Sequence, residues 1–182
     1  MDFNLSKERG VNVGDLNKEV DNNIYPAKKY TNLGLKHIDG IPGFFDLKEA
    51  LEYSKRVNKP LFIDFTGAAC VNCREMESRV FSAAKVKEIL NNDFVFVSVY
   101  GDIKKEVDSK DWVTLSNGKV LKSLGKINSH YIMERYNINA MPYYIIVDNQ
   151  GDEIVEPRGY NLDIELFVKF LEEAKEIYKR GV

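Results

Sequence analysis

The sequence predicts an α/β fold, a mixed central sheet flanked by helices, and three observations predict it. Short apolar runs at 61–65, 94–100 and 143–147 read as strands buried on both faces. Stretches of helical apolar period at 46–58, 70–81 and 162–179 lie between and after them. At 182 residues the chain has room for one such domain with an extension.

The elements follow in order. Residues 1–32 are polar and mixed, without periodicity, and read as an extension or linker. The patch 33–38 reads as a first strand, ended by Asp39-Gly40-Ile41-Pro42-Gly43. Asp46 is a helix N-cap, with Glu49 completing a capping box, and Leu47, Ala50, Leu51, Ser54 and Val57 share one face. Pro60 stops that helix, and Leu61-Phe62-Ile63-Asp64-Phe65 is a buried strand with one carboxylate where a hydrophobe is expected. Thr66-Gly67-Ala68-Ala69 turns into a helix over 70–81, followed by a shorter one over 83–90. Residues 94–100, β-branched and aromatic, are the strongest strand signal.

Residues 104–126 interrupt the rhythm. This insertion is rich in Lys and Asp, holds the only tryptophan (Trp112) and carries Asn117-Gly118, the signature of a surface hairpin. A helix over 127–136 turns Ile132, Met133 and Tyr136 inward. The strand 143–147 opens at Met141-Pro142, and 153–156 pairs back across the turn at 149–152. The last helix, 162–179, buries Leu166, Phe167, Phe170, Leu171, Ala174 and Ile177. Alternating strands and helices imply parallel central strands, with the last two strands an antiparallel hairpin at one edge.

Composition narrows the function. Twenty-six Lys and Arg against 28 Asp and Glu leave a net charge of −2, too little field to favour nucleic acid or an anionic membrane. No apolar run reaches the roughly 20 residues that span a bilayer, and the N-terminus lacks a secretory signal. Two cysteines exclude a disulfide-rich scaffold and a four-cysteine metal site.

The chemistry centres on Cys70-Val71-Asn72-Cys73, placed where a buried strand becomes a helix. Two intervening residues bring the sulfurs close across the first turn, so a Cys70–Cys73 disulfide can form and open with little backbone movement. A helix start favours the thiolate. Cys70, nearer the terminus, is therefore the expected nucleophile and Cys73 the resolving thiol. Structural thiols or half a zinc site are the competing readings, but His37 and His130 lack ligand spacing to the pair. Asp64, six residues before Cys70, has its pKa raised by burial and is placed to take a proton from Cys73; an Asp facing solvent from an edge strand is the plainer alternative. Glu77, one turn beyond Cys73, either tunes the thiols or is a solvated surface residue. Pro142 suits a strand start, and a cis Met141–Pro142 bond would let the preceding backbone face the disulfide and accept an extended substrate.

Phe62-Ile63-Asp64-Phe65, Cys70-Val71-Asn72-Cys73-Arg74 and Met141-Pro142 resemble thioredoxin-fold proteins over residues 33–182. More narrowly, Asp64-Phe65-Thr66-Gly67 followed by Cys-Val-Asn-Cys-Arg-Glu-Met-Glu resembles the C-terminal domain of the thiol:disulfide interchange proteins, DsbD. The resemblance implies a disulfide reductase domain at the periplasmic face of the inner membrane. It would take electrons from a membrane-embedded dithiol and pass them to disulfide-bearing protein partners. Cys70 is then the attacking cysteine, Cys73 the resolving one, Asp64 and Glu77 acidic tuners, and Met141-Pro142 the cis-proline substrate contact. No cofactor, metal or nucleic acid is called for, and a monomer is expected. An excised soluble domain fits these expectations, as does a cytoplasmic thioredoxin-like protein. The chain departs from the pattern at Ala68-Ala69, where many relatives carry a bulky residue, and in the insertion. A redox-inactive binding module, or an oxidase or isomerase of the same fold, are the alternative functions.

Overall fold

The computed structural model describes residues 29–181. Residues 1–28 of the expected extension lie outside that range; residues 29–32 form a turn and enter a short 3-10 helix, Thr31–Leu33.

Among the described residues, five helices flank a four-stranded sheet. In chain order the elements are α1 (Leu47–Val57), β1 (Leu61–Thr66), α2 (Val71–Met76), α3 (Ala84–Asp93), β2 (Val95–Tyr100), β3 (Val113–Thr114), β4 (Val120–Leu121), α4 (Leu124–Tyr136), β5 (Tyr143–Val147), β6 (Arg158–Gly159) and α5 (Ile164–Arg180). The sheet order is β2-β1-β5-β6, and β3 pairs with β4 separately around Asn117-Gly118, the hairpin expected there. β1 runs parallel to β2, but β5 runs antiparallel to β1, so the expectation of parallel central strands holds for one pair only.

All six residues of β1 are buried, as are all six of β2. Alternation sends Phe62, Phe96, Tyr144 and Ile146 to a face covered by α2, α3 and α5, while Leu61, Ile63, Phe65 and Val97 face α1 and α4. On the first face the rings interlock. Phe62 stacks on Phe96 at 5.3 Å, and Phe81 meets Tyr144 edge-on at 5.5 Å. Such pairs add about 0.5–1.5 kcal/mol each beyond their burial and seat α2 against the sheet. Directly after α2 the helix widens into a π-turn, Glu77–Phe81, which lets consecutive Val80 and Phe81 both reach the core.

Four expectations are corrected. No strand forms at 33–38. Gly34 (φ 76°) and Gly40 (φ 71°) bend that segment, and Ile38 and Ile41 enter the core from a tight turn. The free edge of β2 is met by Phe44 instead, whose N–H donates to the Phe96 carbonyl while its own carbonyl accepts from Ser98 N–H, both at 2.9 Å. The segment 153–156 contributes only a single bridge, Val147 with Glu153; Pro157 carries no N–H for a ladder, and pairing resumes one residue later where β6 meets Tyr143 and Tyr144. Met133 and Leu166, expected inside, are 41% and 40% exposed, because α4 and α5 each bury a narrower stripe than the periodicity suggests. Finally, α4 begins at Leu124, earlier than expected, with Ser123 as its N-cap and Gly125 packed against backbone. A Cβ there would lie 2.7 Å from the Gly101 carbonyl.

The Phe44 bridge depends on Gly43. A Cβ on that residue would sit 2.5 Å from the Phe96 carbonyl oxygen, which is backbone and cannot turn aside. Gly43→Ala is expected to lower unfolding free energy by about 1–3 kcal/mol in urea titration. An unchanged midpoint would mean that the bridge contributes nothing.

Candidate active site

The strand directions gather the site. β1 and β2 are parallel, so the chain leaves both at the same edge, delivering residues 67–70 and 101–102 side by side. β5 is antiparallel to β1 and pairs Tyr143 with Phe65, so Met141-Pro142 enters at that same edge. The Met141–Pro142 bond is cis, Pro142 is buried, and a Cβ on Gly101 would lie 2.9 Å from Met141 Sδ.

Cys70 and Cys73 form a disulfide with Cα atoms 5.2 Å apart. Cys70 is the N-cap of α2, its Sγ accepting from the Cys73 N–H at 3.2 Å. The sulfurs are unequal: Cys70 is half-buried and followed by Val71, 78% exposed, whereas Cys73 is 2% exposed. An incoming protein can therefore reach Cys70 and not Cys73.

Asp64 lies on the β1 face that α2 covers, 2% exposed, its Oδ2 without a hydrogen-bond partner among the described residues. Across the sheet its neighbours are Ser98 and Tyr144, both buried, and the Tyr144 hydroxyl is likewise unpartnered. Burial pushes the Asp64 carboxyl up to about 8; the charge of Glu77 adds to this and that of Arg74 opposes it. The place of β1 between β2 and β5, with Asp64 buried, excludes the edge-strand alternative. Glu77 is half-buried, and burial raises its pKa while Arg74, 2.7 Å away, pulls it back. It faces the same interior as Asp64 and is not a freely solvated surface residue. Tyr144 is held protonated by burial and by the charges of Asp64 and Glu77.

Arg74 and Asp102 were not singled out from sequence. Arg74 donates to Thr66 Oγ1 at 3.1 Å and to the Gly67 carbonyl at 3.3 Å, while pairing with Glu77, so one guanidinium ties the end of β1 to α2. Its place beside Cys73 was the only available signal. Asp102 accepts from the backbone N–H groups of Ala68 and Ala69, each at 2.8 Å, across 34 and 33 residues of sequence that no local pattern reveals. Tyr160 on the far side of α2 donates to Glu75 Oε2.

Chemically, the arrangement offers a half-buried sulfur, an enclosed sulfur bonded to it and, on the sheet face that α2 covers, a carboxyl able to hold or release a proton near neutral pH. Among the described residues no group of three or more His, Cys, Asp or Glu is placed to hold a metal, and no helix is long and apolar enough to cross a membrane.

The family described as the thioredoxin-like domain matches residues 47–175. No curated protein gives a significant sequence match. Among solved structures, the chain is similar to the DsbH oxidoreductase, at 19% identity and a TM-score of 0.56, covering 80% of this chain and 93% of that one. It is also similar to a thioredoxin from Thermus thermophilus, at 20% identity and a TM-score of 0.52, covering 73% and 86%. A third likeness is to the oxidised C-terminal domain of Neisseria meningitidis DsbD, at 17% identity and a TM-score of 0.49, covering 73% and 99%. At these identities the first two likenesses speak for the fold alone, and the third carries no argument.

Burial of Asp64 has a thermodynamic signature. Unfolded, its carboxyl ionises near the ordinary value of 3.8; folded, it keeps its proton until about pH 8. The folded state therefore binds the extra proton between those values, and Asp64 makes stability fall as pH rises from about 4 to about 8. Asp64→Asn should remove this slope. Relative to the parent, the variant gains at least about 1 kcal/mol between pH 4 and pH 8, read as a divergence of melting temperatures. Parallel pH profiles for the two proteins would contradict the burial argument.

Proposed function

The chain belongs to the thioredoxin-like family of disulfide oxidoreductases and carries a Cys70–Cys73 pair, and on that premise we propose that it works as a protein-disulfide reductase. The observation that supports this most is the inequality of the two sulfurs, Cys70 reachable and Cys73 enclosed, with Asp64 buried on the sheet face that α2 covers.

The reaction follows from that inequality. In the reduced protein the Cys70 thiolate attacks one sulfur of a partner disulfide, forming a mixed disulfide and releasing the other partner sulfur as a thiolate. Cys73 then gives its proton, directly or through water, to Asp64 in its ionised form, a minority species below about pH 8. The resulting thiolate attacks Cys70 Sγ, closing the Cys70–Cys73 bond and expelling the second partner sulfur, which ends as a thiol once protonated. Two electrons pass from the cysteine pair to the partner, and the sulfurs carry them without a cofactor. Glu77, held by Arg74, adds negative charge behind Asp64. The Met141-Pro142 backbone at the same edge is the surface against which the partner segment lies.

Apolar burial of Cys73 disfavours its thiolate, so resolving the mixed disulfide calls for a proton acceptor inside the protein. In this reading the electrons come from a membrane-embedded dithiol and the domain faces the periplasm as a monomer; support for that part is the sequence resemblance around Asp64 and Cys70.

A Cys73→Ser variant should stall at the first step and accumulate mixed disulfides through Cys70, identifiable by mass spectrometry. The parent, reduced with dithiothreitol, should precipitate insulin by reducing its interchain disulfides. Cys70→Ser should lose both behaviours. A parent protein that neither turns over insulin nor yields trapped species as Cys73→Ser would sink the reductase reading and leave a binding module.

A further inference from the structure

Resting on the reductase reading, we propose that Asp102 is a positioning residue for Cys70, aiming its sulfur through the turn that precedes it and keeping the pair reducing by placing a negative charge beside it.

Two independent contacts lead to this. First, both carboxylate oxygens are occupied by successive backbone donors. Ala68 N–H donates to Oδ1 and Ala69 N–H to Oδ2, each at 2.8 Å. Hydrogen bonds to a charged acceptor are the strong kind, and here they hold the two residues immediately before Cys70. The turn is further closed by the Cys70 N–H donating to the Gly67 carbonyl at 3.3 Å. Second, the carboxylate is seated in space that only glycine leaves. A Cβ on Gly67 would lie 2.8 Å from Asp102 Oδ2 and 3.3 Å from Cys70 Cβ, so one small volume separates the carboxylate from the nucleophile's side chain. Ala68 and Ala69 carry no bulky side chain that would intervene.

The sign of the effect follows from charge. A thiolate at Cys70 is favoured by the Cys73 N–H that points at its sulfur and by the Arg74 guanidinium on the next turn. It is opposed by Glu77 on the same helix, by Asp64 on β1 when ionised, and by Asp102 from the loop after β2. The neighbouring Tyr144 on β5 stays neutral. Of the opposing carboxylates, Asp64 is buried within β1 and Glu77 is paired with Arg74, whereas Asp102 lies just across Gly67 from Cys70. Destabilising the thiolate destabilises the dithiol relative to the disulfide, which lowers the reduction potential and strengthens the reductant.

The test compares the parent with Asp102→Asn and Asp102→Ala. For each reduced protein, the rate of iodoacetamide alkylation at Cys70 is measured against pH in the Cys73→Ser background. The intact pair is separately equilibrated against glutathione. The proposal expects the alkylation midpoint to move down in both variants. It also expects the glutathione equilibrium to shift toward the dithiol by about tenfold, roughly 30 mV less reducing. Unchanged midpoint and equilibrium, with only a lower melting temperature, would reduce Asp102 to a structural clamp and overturn the proposal, as would a shift in the opposite direction. Failure of both variants to fold overturns it too, by assigning the carboxylate to the fold. None of these readouts requires a protein substrate, so a parent inactive on insulin would defeat the reductase reading without being mistaken for a failure here.

Discussion

A carboxyl group held out of water in the middle of an apolar strand is the constraint on which the site depends. β1 is hydrogen-bonded on both sides and buried along its whole length, so Asp64 is almost wholly withdrawn from solvent. Its proton is retained to about pH 8 because the medium around it penalises charge, with Glu77 adding to the penalty and Arg74 relieving part of it. Such a group is a cost to the fold at neutral pH. It lies on the sheet face that α2 covers, and in the proposed reaction it accepts the proton of Cys73.

The sheet topology turns that constraint into a site. Parallel pairing of β1 with β2 and antiparallel entry of β5 bring three segments remote in sequence to one edge: the turn before Cys70, the Asp102 loop and Met141-Pro142. The aromatic packing of Phe62, Phe81, Phe96 and Tyr144 sets how closely α2 lies on the sheet and hence how deep Cys73 sits. Two glycines serve the same end by what they lack, Gly67 admitting the Asp102 carboxylate and Gly43 admitting the edge bridge to β2.

Much of this was legible in the sequence, and the reasons for the remainder are physical. The buried strands and the amphipathic helices could be read because burial on two faces or one leaves a period in the residues. Cys70, Cys73 and Asp64 could be read because each breaks or punctuates that pattern. The direction of β5 left no such mark, since a strand buried on both faces looks the same whichever way it runs. The segment 33–38 has strand-like composition, but two glycines with positive φ spend its apolar residues on a turn. Asp102 and Arg74 act on atoms of the backbone and of other elements, and contacts of that kind carry no periodic trace. The unpaired Tyr144 hydroxyl opposite Asp64 could be placed only once the register was known.

The account's central claim is that Asp64 exchanges a proton with the enclosed thiol, and a site-resolved titration tests it most directly. Following the Asp64 carboxyl carbon by NMR against pH, the account predicts titration near pH 8 with the disulfide closed. It predicts a further upward displacement when the pair is reduced and Cys73 begins to compete for the same proton. An Asp64 signal that titrates near the ordinary carboxylate value, or one indifferent to reduction of the cysteines, would contradict it.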